Sequence, residues 1–306
     1  MSNSRTDNLP FAVTAIVISV LGLSLGDALI KLTSGSFVLW QIFVLRSLVV
    51  LPWLLIYLAL RAPAALRHPA ALGWTTLRSM MLVVMWIAYY LALPNLSIAA
   101  AAASFYTLPI FITLFSALFI GDRIRALGWI AVGLGFLGVI LILRPGVGDF
   151  NLYALLPLLS AVLYALSMIL TRTKCREADP IYLGMALNLS FLIVGVIASG
   201  VITVFGLGQD NGYLLGAWSE MTPENWLSMA LMGAAILVGS VGAAIAYQKG
   251  PPAIIGSFDF AYVGFAVIWG LVFFGHIPDA VTLAGIALIV LAGLLSMRQG
   301  QAGSAA

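Results

Sequence analysis

Four ionisable side chains stand within stretches that are otherwise apolar, Asp27, Arg46, Arg78 and Asp259, and Lys31 follows Asp27 at the end of the first. On insertion scales a charge near the bilayer centre costs about 2.5–3.5 kcal/mol, so such groups are expected to face a bundle interior and to pair. Position along the apolar runs puts Asp27 with Arg46 toward one membrane surface and Arg78 with Asp259 toward the other. Lys31 is long enough to reach outward to the interface. Two separate polar clusters are therefore expected. They would pin helices together, contact a solute or act as gates, and Asp27 is also a candidate to carry a coupling proton. Hydroxyl-bearing rings join them: Tyr89, Tyr90, Tyr106, Tyr164, Tyr247 and Tyr262, with Phe258 close by. A tyrosine inside a membrane wants a partner for its hydroxyl. Such rings serve equally as interhelical glue or as the wall of a site for a flat solute, or for a cationic one through cation–π attraction. Pro109 marks a kink in the middle of its run, because proline frees a backbone carbonyl for another partner.

Other chemistries lack their residues. The only histidines are His68 and His276, no H-E-x-x-H zinc motif occurs, and no Gly-x-Ser-x-Gly elbow is present. A Walker A loop is absent too. No catalytic residue, metal site or cofactor is expected, and ATP would not drive the protein directly. A channel would need a continuous polar stripe or a ring of charge, and no apolar run carries one; a purely structural membrane protein would leave the buried charges unexplained. Cys175 is the single cysteine, so no internal disulfide forms. Basic clusters with interleaved aromatics are missing as well, which argues against a nucleic-acid partner.

The elements that position these residues are membrane helices. Apolar residues make up 62% of the chain and charged ones 8%, against about 25% charged in soluble domains. Mean hydropathy is +1.11. A hydrocarbon core of about 30 Å takes roughly 20 apolar residues per helix. Ten such spans are expected: 11–31, 38–60, 75–94, 98–120, 126–143, 151–171, 181–205, 226–248, 253–274 and 279–297. The first is too long for a signal-peptide core and no small-x-small cleavage site follows, so it reads as an uncleaved span. With the N-terminus inside, Arg5, Arg61, Arg67, Arg78, Arg123, Arg125, Arg172, Lys174, Arg176, Lys249 and Arg298 all fall on the inner side. Only Lys31 and Arg144 fall outside, and the long outer loop carries Asp210, Glu220 and Glu224 without a base. The positive-inside rule then places both termini in the cytoplasm. A multi-pass protein of an inner (plasma) membrane, with the bilayer as its partner, is the expectation.

The chain also repeats. Ser19-Val20-Leu21 matches the run Ser160-Ala161-Val162-Leu163, Ser104-Phe105 matches Ser257-Phe258, and Gly121-Asp122 matches Gly275-His276. Two units result, 11–143 and 151–297, each of five spans. An odd number threads the second copy through the membrane in the opposite sense, and inverted repeats are common in secondary transporters. Small residues favour close helix packing at Gly22-x-x-x-Gly26, at Ala99 to Ala103 and at Gly128, Gly133, Gly135 and Gly138.

Five spans plus five, cytoplasmic termini and a short loop opening after Gly121-Asp122 resemble the drug/metabolite transporter superfamily, its EamA-type branch in particular. The resemblance covers 11–297 and implies an all-α membrane protein with two inverted five-helix repeats. Members usually carry Gly-Glu after the fourth helix of each repeat. Gly121-Asp122 is a conservative departure, whereas Gly275-His276 loses the acid, so a clamp made by that acid is not expected in the second half. Asp27-x-x-x-Lys31 followed by Gln41 and Arg46 resembles a subgroup that includes riboflavin and S-adenosylmethionine carriers. By resemblance, the function is secondary transport of a small organic metabolite by alternating access, with an amino acid or related compound the leading substrate class and export the favoured direction. Uptake of a cofactor-like metabolite is the alternative. The fifth and tenth helices make packing or dimer contacts in the family, which leaves a homodimer open.

Overall fold

A computed structural model describes residues 7–32, 37–67, 70–92, 95–96, 98–146, 151–206, 214–275 and 277–304. The side chains of 30–32, 98–100 and 299–304 lie outside that description. The described residues are helical throughout, without a strand. The helices are α1 (Leu9–Leu32), α2 (Leu39–Arg61), α3 (Pro63–Arg67), α4 (Leu72–Ala92), α5 (Ile98–Phe105), α6 (Leu108–Phe115), α7 (Ala126–Leu143), α8 (Leu155–Thr173), α9 (Pro180–Val204), α10 (Pro223–Lys249), α11 (Pro252–Asp259), α12 (Ala261–Phe274) and α13 (Ala280–Ser304). Ten stretches are long and apolar enough to cross a membrane. They are α1, α2, α4, α5–α6 with the π-helical turn Ser116–Ile120, α7, α8, α9, α10, α11–α12 and α13. The protein is an all-α membrane protein of ten spans.

Burial is arranged for lipid rather than water. Trp53, Leu60 and Phe119 are exposed, while Gln41, Arg46, Arg78, Asn188 and Asp259 are buried. A bilayer supplies no hydrogen bonds, so polar groups turn inward.

Local sequence starts the helices where they begin. Asp179 caps α9, its Oδ1 accepting from the Ile181 amide at 2.8 Å, and Thr222 caps α10 through the Asn225 amide at 3.3 Å. Pro180, Pro223 and Pro252 occupy the first turns of α9, α10 and α11, where a missing N–H costs nothing. Gly121 (φ 82°) closes the fourth span and Gly275 (φ 68°) the ninth. Both adopt the left-handed conformation that glycine takes without strain. His276 lies outside the described residues.

The spans pair in a definite order. The first packs on the eighth and ninth, and the sixth on the third and fourth; the second packs on the eighth and the third on the seventh. Second with seventh, fourth with ninth and fifth with tenth complete the principal contacts. The fifth and tenth meet backbone to backbone: a Cβ added at Gly138 would stand 2.6 Å from the Gly285 carbonyl oxygen.

Two faces of the bundle are tied by polar contacts. On one, Asp7 accepts from Arg172 (2.7 and 2.8 Å) and Arg176 (2.8 Å), and the Asn8 amide donates to the Lys249 carbonyl. Gln248 bonds the Cys175 and Ala178 carbonyls on the same face. On the opposite face Asn151 donates to the Asn95 carbonyl and Arg144 pairs with Asp279 at 2.5 Å. There Gln41 exchanges two hydrogen bonds with Ser219, and Trp40 donates to the Leu214 carbonyl. Gln41 thus holds down the long loop before α10.

Candidate functional site

Two spans are interrupted. α5 gives way to α6 at Tyr106 and Thr107, and α11 gives way to α12 at Phe260. Pro109 sits in the first turn of α6 rather than inside a continuous helix. It cannot donate to the Phe105 carbonyl four residues earlier. At the same break the Thr107 hydroxyl donates to the Ser104 carbonyl at 2.7 Å. Laying Ser104-Phe105 on Ser257-Phe258 sets Tyr106 opposite Asp259, so the two interruptions fall at matching places.

The acids gather around these breaks. Asp259, at the last turn of α11, is buried, and both carboxylate oxygens are engaged: Tyr247 of α10 donates to Oδ2, and Tyr164 of α8 donates to Oδ1 at 3.3 Å. Asp27 of α1 is half-buried and accepts from the Tyr262 hydroxyl of α12. Beside it, the Trp269 indole donates to Ser24 Oγ at 2.9 Å, a second polar tie between α1 and α12. The ring contacts are continuous from one acid to the other. Tyr262 lies 5.4 Å from Tyr106, Tyr106 lies 5.6 Å from Phe105, and Phe105 lies 6.4 Å from Tyr164. Tyr89 packs on Phe105 and on Tyr90, and Trp86 stacks on Tyr90.

Several expectations need correction here. Arg78 and Asp259 do not form an ion pair among the described residues. Arg78 instead donates from Nε to Thr171 Oγ1 at 2.5 Å, and Tyr164 is the neighbour it shares with Asp259. Arg46 acts on Asp27 electrostatically. Its guanidinium lies over the ring of Phe191 at 4.8 Å and near Phe43 at 5.7 Å. Among the described residues, tyrosine hydroxyls hold both acids. The polar clusters are also not separate, because the ring chain through Tyr106 and Phe105 links them. Lys31's side chain lies outside the described residues.

Trp86, Phe105 and Trp269 escaped the sequence argument. Charges and hydroxyls stand out in an apolar run, whereas these rings fill the spaces between them. The helical spacing of Trp86, Tyr89 and Tyr90 was the signal that would have found the first. Apart from this cluster, a cavity of about 580 Å³ opens at the start of α2 and the end of α9, lined by Trp40, Ser199, Thr203 and Trp218 among others. None of the described residues that line it is titratable.

Taken together, the site is an aromatic, hydroxyl-rich cluster where the first, third, fourth, sixth, eighth and ninth spans meet, carrying two acids. Residues 10–144 match the EamA-like transporter family. Over 229 residues the chain is 29% identical to a riboflavin transporter of Rhizobium johnstonii, spanning 74% of this chain and 70% of that protein. A pseudopaline exporter of Pseudomonas aeruginosa is 28% identical over 217 residues, 70% of this chain and 71% of its own. A riboflavin transporter of Vibrio cholerae is 29% identical over 224 residues, 72% of this chain and 69% of its own. A crystal structure of a protein at 16% identity superposes with a TM-score of 0.78, covering 94% of this chain and 98% of the other. The first half of this ten-span chain thus matches the EamA-like transporter family, and proteins named as transporters align along most of its length.

Proposed function

We propose that this transporter moves a small organic metabolite by alternating access, with two inverted repeats, 11–143 and 151–297, rocking about a site at the interruptions of the fourth and ninth spans. One observation carries the reading: both helices break at matching positions, and the aromatic hydroxyls and both acids collect there. Helices interrupted at corresponding places in two halves point to the binding site of a secondary carrier. Support comes from the pairing of spans, whose principal contacts are unchanged when each span is exchanged with the one five later. The matched serines agree. Ser19 of the first span donates to the Gly239 carbonyl of the eighth at 2.5 Å, and Ser160 of the sixth donates to the Met85 carbonyl of the third at 2.9 Å.

An amino acid or related compound is the leading substrate class, and export the favoured direction; the named exporter among the relatives supports export. Two relatives named riboflavin transporters, together with ring-lined walls, favour a second reading: uptake of a flat, cofactor-like solute. Both readings place the protein in an inner membrane with cytoplasmic termini. Counterflow in proteoliposomes separates the alternatives. Saturable counterflow of radiolabelled amino acids supports the first and that of riboflavin the second. Flux that rises linearly without saturation would make the protein a channel.

A further inference from the structure

We propose that Asp259 is a proton-binding site, and that its proton is the one exchanged during the transport cycle. The inference deepens the carrier reading by naming the coupling ion.

The geometry isolates this carboxylate from positive charge. Asp259 is 4% exposed and sits where α11 ends inside the membrane. α10 presents the Tyr247 hydroxyl and α8 the Tyr164 hydroxyl, and Tyr106 of the fourth span is within electrostatic reach. α13 offers Ser296, bonded to Ser257 of α11 at 3.1 Å. α1 brings Ala12 and Ile16, α6 brings Ile112 and α7 brings Gly135 against Phe260. No Lys, Arg or His among the described residues pairs with Asp259, and Arg78, which shares Tyr164 with it as a neighbour, donates from Nε to Thr171 instead. Asp27 differs on each count. It is half-buried, it keeps one hydroxyl partner, and Arg46 acts on it electrostatically.

A carboxylate without a counter-ion in a low-dielectric interior gains most by taking up a proton, which removes the charge altogether. The exchange balances simply. A proton from water on one side binds Oδ1 or Oδ2, and the neutral acid then has one O–H donor. The tyrosine hydroxyl whose bond it displaces turns to accept from it. Release to the other side restores the carboxylate and both tyrosine donors.

Protonation also has a mechanical consequence. While charged, Asp259 ties α8, α10 and α11 through two hydrogen bonds to an anion, which are about twice as strong as neutral ones. Neutralisation weakens the tie between the ninth span and its two neighbours. A conformation that separates them therefore binds the proton more tightly, and proton binding favours it in return.

The test uses the full chain reconstituted in liposomes. Infrared difference spectra across a pH titration should show the carbonyl stretch of a protonated carboxyl appearing on acidification. The band should vanish in Asp259→Asn and persist in Asp27→Asn. In parallel, hydrogen–deuterium exchange of peptides from α8, α10 and α11 should quicken as pH falls in the wild type and lose that dependence in Asp259→Asn. A spectrum without an Asp259-dependent band, or an exchange profile in Asp259→Asn that follows pH as the wild type does, overturns the assignment. Failure of the carrier reading looks different: no tested solute gives counterflow, while the band and the exchange profile stay as expected.

Discussion

Tyrosine, in this protein, does the work that a counter-ion would be expected to do. The hydroxyls of Tyr164, Tyr247 and Tyr262 hold Asp259 and Asp27 between helices, and they cost far less to bury than an ammonium or guanidinium. Loss of a donor should scale with burial. Tyr247→Phe leaves a fully buried carboxylate oxygen unsatisfied and should lower stability by about 2–3 kcal/mol, against about 1 kcal/mol for Tyr262→Phe at half-buried Asp27. Thermal unfolding of the two purified variants measures the ordering, and equal losses would contradict it. Tyr262→Phe should still reach the membrane while its counterflow falls severalfold. Cys175 makes a contrasting case outside the spans. It is fully buried beneath Gln248, and burial pushes its thiol above the usual range, so little thiolate forms. Maleimide should label it slowly in the folded protein even at mildly alkaline pH and rapidly once detergent unfolding exposes it. Fast labelling of the native protein would mean that the 172–178 loop opens.

Elements pack here through small residues, since lipid removes the hydrophobic drive between helices. Gly22 and Gly26 admit Val238 and Ala235 of α10, and Gly138 meets Gly285 where α7 crosses α13. Gly138→Leu would drive a side chain into backbone, which no rotamer relieves, and should cost about 1–3 kcal/mol. Monodisperse yield and unfolding temperature report it, with Gly133→Leu, which meets nothing within 4 Å, as the control. The Arg144–Asp279 pair joins the same two helices at their ends, with both side chains exposed. Arg144 and the Thr282 amide hold the Asp279 carboxyl well below the usual carboxylate range. A depressed acid contributes stability that is present above its unfolded value and lost as pH falls through the folded one. Even so, an exposed pair is worth little and is screened by salt. Asp279→Asn should leave unfolding near neutral pH almost unchanged, and the small difference should shrink further as salt is added.

At the scale of the whole molecule, the basic residues set the expected orientation. Reporters fused in the 214–222 loop and in the 172–178 loop should read outside and inside respectively, following the eleven-to-two bias of basic residues. The same answer from both loops would break the alternation of spans. Polar ties secure the bundle at both faces, with Asp7 gripped by Arg172 and Arg176 on one, and the loop before α10 pinned by Trp40 and Gln41 on the other. In the proposed alternating access, rocking would release one set while keeping the other.

Hydropathy alone determined the fold class, because twenty consecutive apolar residues have one stable conformation in a bilayer. The ten expected spans fall on the helices observed, with ends displaced by a few residues, as for 75–94 against Leu72–Ala92. Composition likewise singled out the acids and tyrosines, since unusual residues in an apolar run stand out without any coordinates. Partnership was beyond its reach. Asp259 was matched with Arg78 by depth, yet depth gives one coordinate, and contact depends also on the angle each helix turns to its neighbours. Tyr164 and Tyr247 came from α8 and α10 to satisfy Asp259, and Tyr262 came from α12 to satisfy Asp27. Those approaches are set by helix crossings at glycine and serine contacts, and by the breaks at Tyr106 and Phe260 that turn the fourth and ninth spans. Such angles emerge only when all ten spans are packed at once, which is why the tertiary structure alone decided that hydroxyls would hold the acids.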